Sequence, residues 1–453
     1  MMKSMKKIFQ YIVIFFGILC ICMICLYTTC LIPSSKLKNN MMESLNEVKN
    51  NGSKKIVNIF NKKIIFDTYA DAMMMNTAYS IDSKHPFYSM LFARSNYVDG
   101  VTDKTFPDEA YKQNKIAIFP HTNDLEKVVM GEKLDAIEYA RYWHGYLVYL
   151  RPLLTVFNYM EIKIVSFIIH YILIAVLLYQ IKKKLGMKYL IAVVFGVIVT
   201  EGYLVYLCLE ETIGFSLILV ESIILLSTNN KKYNNYFFII GMITAFFDLF
   251  TIPVAIFAFP LILCMLLYKE KDIKLLIKDC FRYCLLFSIG YVAMWTTKWI
   301  IVDAVYEREL IKNAICQALY RIDSLNVKFW QVQSLNITFI GLPVAIYTGA
   351  IYVVNIIVTI YEKIKFKKVD PIFCLNLLLG IIGVTPMLWY TFIREHSAGH
   401  AYFTYRNLLV TCICSQIMMI HILDKKIKKN RKEIFTIYVL INAIVIILNY
   451  TIK

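Results

Sequence analysis

No CxxC in this 453-residue chain finds a matching partner, so neither a zinc site nor a disulfide framework is supported. Most of the twelve cysteines, Cys20, Cys22, Cys25, Cys264, Cys412 and Cys414 among them, lie inside apolar runs and read as small buried hydrophobes. Internal repeats and low-complexity linkers are also missing. Acidic residues are scarce, 32 against 49 basic ones, and the resulting charge of +17 invites a nucleic-acid reading. The basic blocks have no readout motif beside them, which argues against that partner. They sit instead in short connections: KKK at 182–184, KEKDIKLLIK at 269–278, EKIKFKK at 362–368 and DKKIKKNRK at 424–432.

What fills the chain is apolar. The hydrophobic fraction is 58% and the mean hydropathy +0.57, far from a soluble domain of this length. Apolar stretches of roughly 20 residues recur, each long enough to span a hydrocarbon core of about 30 Å. They are continuous rather than alternating, which excludes a β-barrel. The expected fold is an all-α polytopic membrane protein with roughly eleven transmembrane helices. The first lies in residues 1–32, a large mixed outer loop follows at 33–160, and a multi-helix unit occupies 161–453. Its spans are expected near 161–182, 188–209, 212–228, 235–250, 252–268, 281–303, 336–361, 371–391, 403–423 and 433–451. The N-terminal apolar run exceeds a signal-peptide core and lacks a clean cleavage site, so it is expected to stay as a span. With a cytoplasmic N-terminus in a bacterial plasma membrane, the Lys-rich connections fall consistently inside.

Within the loop, KIVNIF, KIIF and KIAIFP predict short extended pieces, and 145–160, interrupted by Arg151-Pro152, predicts a re-entrant or interface-lying helix. The helical spacing of YERELIKNAICQALYRID predicts a second interfacial helix.

The polar residues embedded in these segments gather on one side. Asp67 and Asp71, four apart in FDTYADAMMMNTAY, share a face if helical and suit a general base or a divalent cation. A solvated acidic face is the plainer reading. Arg141, Trp143, His144 and Arg151 stand among Tyr139, Tyr142, Tyr146 and Tyr149. An interfacial belt explains the aromatics; interleaved Arg and His also suit a phosphate or sugar. In FIREHSAGHAYFTYR, His396 and His400 are four apart, but Gly399 and the missing HExxH glutamate argue against a zincin. His400, Tyr405 and Arg406 are better suited to phosphate, with Asp248 or a lipid phosphate as the partner that a membrane-embedded Arg406 needs. Glu210 and Glu211 read as a solvated turn, and Glu201 and His170 as interhelical hydrogen-bonding groups.

The cytoplasmic start, the first span leading into an acidic outer loop and the many later spans together resemble the GT-C superfamily of integral-membrane glycosyltransferases. That resemblance implies a polyprenyl-phosphate sugar donor and a glycan or lipid acceptor at the outer membrane face. It makes Asp67 or Asp71 the base, with or without a divalent cation, and gives donor phosphate to Arg141, Arg406 and the histidines. Asp67 lies further past the first span than the family's acid usually does. A polysaccharide polymerase or ligase, and a transporter or flippase of lipid-linked sugars, are the alternatives; the latter predicts broken helices in two related halves.

Overall fold

The computed structural model describes residues 2–51, 54–97, 122–132, 135–228, 233–269, 272–323, 327–367, 369–426 and 431–452. The KIAIFP stretch lies outside them. The chain is an all-α, multi-pass membrane protein. Among the described residues, seven helices are long and apolar enough to cross a bilayer: Met5–Cys30, Tyr159–Lys184, Ile273–Tyr306, Leu342–Phe366, Pro371–Phe392, Ala401–Lys425 and Lys432–Thr451. Their ends follow local chemistry. Asn158 and Glu161 form a reciprocal cap at the start of Tyr159–Lys184, and three lysines close its last turn against the helix dipole. Only 11% of the first span is covered by protein, against 83% of Ala401–Lys425, so the first is peripheral and the latter is the axis of the bundle.

The remaining apolar segments differ from the expected full spans. Met187–Val199, Asn234–Phe247 and Pro253–Leu267 have 13, 14 and 15 residues. At 1.5 Å per residue they reach about 20–23 Å, short of a hydrocarbon core of about 30 Å. Each meets a break in the backbone. After Val199 comes Glu201, left-handed at φ 50°, and a 3-10 turn over Gly202–Leu207. Between Phe247 and Pro253 lie Asp248 and Phe250, the latter at φ 72°. Non-helical backbone at this depth is tolerated only when buried in protein, and Glu201 and Asp248 are both fully buried. A hydropathy average runs straight over such breaks, which is why the sequence reads them as continuous. The expected span at 336–361 likewise divides at Gly341, whose φ of 102° suits only glycine, into Phe329–Ile340 and Leu342–Phe366.

The segment after the first span folds onto the bundle. Helix Lys38–Asn51 leads into strand β1, Lys55–Ile59, which pairs antiparallel with β2, Lys62–Phe66. KIVNIF and KIIF are thus a hairpin. Helices Thr68–Tyr79, Pro86–Phe92 and Thr122–Met130 follow, with β3, Ser95–Tyr97, paired to β4, Asp135–Ile137. Their apolar side chains share one core with the first span and with Ile273–Tyr306, through Leu26, Cys30, Met75, Trp143, Leu150 and Met294. Helix Leu147–Leu154 carries Arg151 and Pro152 and is too short to span.

Two glycines let the break-flanking helix approach its neighbour. A β-carbon on Gly241 would overlap the Phe287 carbonyl, and one on Gly290 the Phe238 carbonyl. Gly290→Leu should therefore lower stability by about 1–3 kcal/mol or more through overpacking. Gly349→Ala, which meets open space, should not. Unfolding of the detergent-solubilised protein by added SDS measures both.

Candidate functional site

Strand β2 ends at Phe66 and hands Asp67 to the next helix as its N-cap. Asp67 Oδ1 accepts the Ala70 N–H at 3.1 Å, so the carboxylate replaces a missing backbone partner. Its Oδ2 accepts the Tyr402 hydroxyl at 2.7 Å, joining residues 335 apart. Tyr402 in turn lies 3.4 Å from His400 Nδ1, and the Lys54 ammonium stands 4.5 Å over its ring. The loop acid and the late histidine-bearing stretch therefore meet.

Asp71 points elsewhere. It is fully buried, accepting the Leu209 N–H at 2.7 Å on Oδ1 and the Tyr159 hydroxyl at 2.5 Å on Oδ2. The Cys208 thiol adds a donor at 3.3 Å, and Lys163 Nζ lies 4.0 Å away. Burial pushes its carboxyl up, against the opposing pull of Lys163 and these donors. Asp71 anchors helix Thr68–Tyr79 to Leu209–Ser227 and to span Tyr159–Lys184. With both oxygens committed, it does not fit a cation shared with Asp67. Among the described residues no group of three or more His, Cys, Asp or Glu side chains is gathered to hold a metal.

Glu210 and Glu211 begin helix Leu209–Ser227 and are 8% and 1% exposed, so the expected solvated turn is instead buried. The positive end of the helix dipole favours carboxylates there. Glu211 Oε2 pairs with Arg406 Nη1 at 3.0 Å. Arg406 also donates to the Tyr402 carbonyl at 3.2 Å and lies 5.3 Å and 4.9 Å over the Phe66 and Tyr405 rings. Its partner is thus Glu211, not Asp248. Asp248 accepts the backbone N–H groups of Phe250 at 3.0 Å and Thr251 at 3.2 Å, shaping the helix break. Glu210 stands in the combined field of Asp67, Glu211, Asp248 and Asp71.

Tyr405 donates to Glu201, which also accepts from Tyr450 at 3.1 Å and pairs with Lys62 at 2.5 Å. Glu201 is the hub of a second buried network. His170, fully buried, binds the Gly202 carbonyl at 2.8 Å beside it.

The Arg141–Arg151 segment divides. Arg151 is fully buried and donates to the carbonyls of Thr29, Ile32 and Ala78, fastening its short helix to the first span. Trp143 is fully buried, with Nε1 donating to Met294 O at 2.8 Å. His144 binds the Tyr139 carbonyl at 2.7 Å. Burial and then Lys298 push its imidazole down to about 3. These three expected substrate contacts are spent on the fold, because each buried polar group must find a partner. Arg141, half-buried, binds Asn313 at 3.0 Å and lies 4.9 Å over Tyr139.

His396 and His400 do pack together, ring centroids 4.8 Å apart, and His396 Nε2 is held 3.0 Å from the Phe250 carbonyl. Beside them stands Arg321, which sequence reasoning passed over. Its guanidinium lies 5.8 Å over Tyr142 and 5.6 Å over Phe250, with Nη1 buried and unpartnered. The sequence pattern pointed away from it: on helix Leu310–Asp323, Arg321 shares the face of Leu310 and Ala314, which are buried, whereas the stripe of Ile311, Ile315, Leu319 and Ile322 is exposed. Burial, then Arg321, pushes His396 well below its ordinary range. Burial lowers His400 to about 4, Arg321 adding to that and Asp67 opposing it.

Two outcomes follow from this geometry. Arg406→Gln or Glu211→Gln alone should cost about 3–5 kcal/mol by leaving a buried charge alone, and the double variant should cost less than the two summed; SDS unfolding of all three measures the coupling. His400 is lowered from 6.5 to about 4, so the folded state binds fewer protons there than the unfolded chain. Its contribution is intact above pH 6.5 and is lost as pH falls towards about 4. His400→Gln should lose less stability over that window, read from unfolding titrations at successive pH values.

Comparison of the chain with family models, curated proteins and solved structures returns no match.

Proposed function

We propose that this chain is a membrane glycosyltransferase of the GT-C kind. It moves a sugar from a polyprenyl-phosphate donor to a cell-surface glycan or lipid-linked acceptor at the outer face of a bacterial plasma membrane, with its N-terminus in the cytoplasm. The observation that carries the reading is the 2.7 Å bond from Tyr402 to Asp67, which ties the loop acid to the segment bearing His396, His400 and Arg406. Attack at an anomeric carbon needs a base at the acceptor hydroxyl and positive donors at the departing phosphate.

Asp67 takes the first role. It accepts the proton of the acceptor hydroxyl as that oxygen bonds to the anomeric carbon and the carbon–phosphate oxygen bond breaks. Tyr402 and the Ala70 N–H hold its carboxylate in one orientation. The second role falls to the unpartnered donors: Arg406 Nε and Nη2 and Arg321 Nη1. Glu211 positions Arg406, and Asp71 positions the helix that Asp67 caps.

One observation favours a second reading. The helix breaks at Glu201 and Asp248 are the kind of feature that a transporter of lipid-linked sugars uses to line its path. Substitution separates the readings. Asp67→Asn should accumulate normally and lose about a hundredfold or more of transfer to acceptor, the range of a missing general base. Asp71→Asn should instead lower the amount of folded protein. Wild-type product from Asp67→Asn at normal protein levels removes the base. Translocation of a lipid-linked sugar without transfer favours the transporter. A reporter-fusion map with residues 395–406 in the cytoplasm overturns the outer-face site.

A further inference from the structure

Helix Leu209–Ser227 carries a third glutamate that neither network uses. Glu221 lies eleven residues beyond Glu210, about 16 Å along the helix axis. It is 3% exposed, and both carboxyl oxygens are buried without a hydrogen-bond partner. The hydroxyl of Ser222, fully buried, is unpartnered too.

Among the described residues, the surroundings hold nothing to balance a charge. From helix Asn234–Phe247, the Tyr236 hydroxyl donates to the backbone carbonyl of Glu221 at 2.8 Å, not to its carboxyl. Pro253–Leu267 carries one titratable group, the Cys264 thiol, which, like Glu221, acts electrostatically on Tyr236. From Tyr159–Lys184, His170 is already bound to the Gly202 carbonyl near Phe215, further towards the Glu210 end. Lys163 belongs to Asp71. Among the described residues no cation pairs with Glu221. An isolated carboxylate in an apolar interior is so costly that the group takes up a proton instead.

We infer that Glu221 is an intramembrane proton-binding site, its carboxyl neutral in the folded protein at neutral pH and chemically separate from the Glu210–Glu211 cluster on the same helix. The ligand is a proton. Ionising the group places an unpaired charge against the two short helices that flank the Asp248 break. The inference stands whether or not the transferase reading does.

Reversible SDS unfolding of the wild type and Glu221→Gln at successive pH values tests it. Glutamine mimics the neutral acid, so near pH 4 the two proteins should unfold alike. Above the ordinary glutamate value of about 4.3, the unfolded wild type loses a proton that the folded state keeps. The folding equilibrium constant of Glu221→Gln should then rise relative to wild type by about tenfold per pH unit, until the folded carboxyl ionises. A ratio that stays flat with pH overturns the inference, and one that falls shows an ionised, paired carboxylate. Glu221→Leu supplies the same comparison with no polar atoms. Failure of both variants to fold at any pH also overturns it, because a neutral carboxyl in an apolar site tolerates its isostere.

Discussion

The ion pair between Arg406 and Glu211 fastens the middle of the chain to its last third at this site. Each partner is 1% exposed, so neither charge can be hydrated and each is stable only while the other is present. Glu211 is fixed by the start of helix Leu209–Ser227. Arg406 is fixed by the turn that opens the central helix Leu409–Lys426 and by the rings of Tyr405 and Phe66. Phe66 is the last residue of β2, so the pair also sets where the next residue, Asp67, emerges. The hairpin, the buried helix start and the axis of the bundle are thereby brought to one point.

The same constraint explains the broken helices. A continuous helix satisfies its own backbone and would leave a mid-span carboxylate to find a partner unaided. A break exposes N–H groups that can serve as that partner. Asp248 uses two of them, from Phe250 and Thr251. Glu201, at the other break, draws on Lys62, Tyr405 and Tyr450. The Glu201 break is thus filled by side chains from distant parts of the chain, while the Asp248 break satisfies its carboxylate locally and takes up distant His396 at the Phe250 carbonyl.

Much of this was legible in the sequence, and the illegible part has a consistent cause. Length and hydropathy are local, so the helical class, the first span and the helix at Leu310–Asp323 could be read directly. The extended character of KIVNIF and KIIF was legible from their β-branched and aromatic residues, but their pairing into a hairpin was not. Partners are not local. That Arg406 needs an acid was evident from its apolar setting, but Glu211 looked like one residue of a solvated turn, because burial of a helix start depends on what packs over it. Arg151 and His144 were read as ligand-binding groups for the matching reason: Arg and His among aromatics look alike whether they face a phosphate or backbone carbonyls. Arg321 was hidden in a helix whose apolar stripe drew attention to the opposite face.

The two loop acids show how far spacing alone can carry a functional argument. Four residues apart, Asp67 and Asp71 were expected to act as a pair. The helix begins between them, and that single fact separates their roles. Asp67, outside the first turn, is held by one backbone N–H and by Tyr402, a residue of the segment that carries the cations. Asp71, inside it, faces the protein interior and is saturated by donors from two other helices. A base must be able to exchange one of its hydrogen bonds for a substrate's. Releasing a bond to Asp71 would strand a buried carboxylate and loosen the loop from the bundle. Releasing the Tyr402 bond leaves Asp67 still capped to its own helix. The proposed chemistry therefore belongs to the acid whose loss of a partner the fold can tolerate.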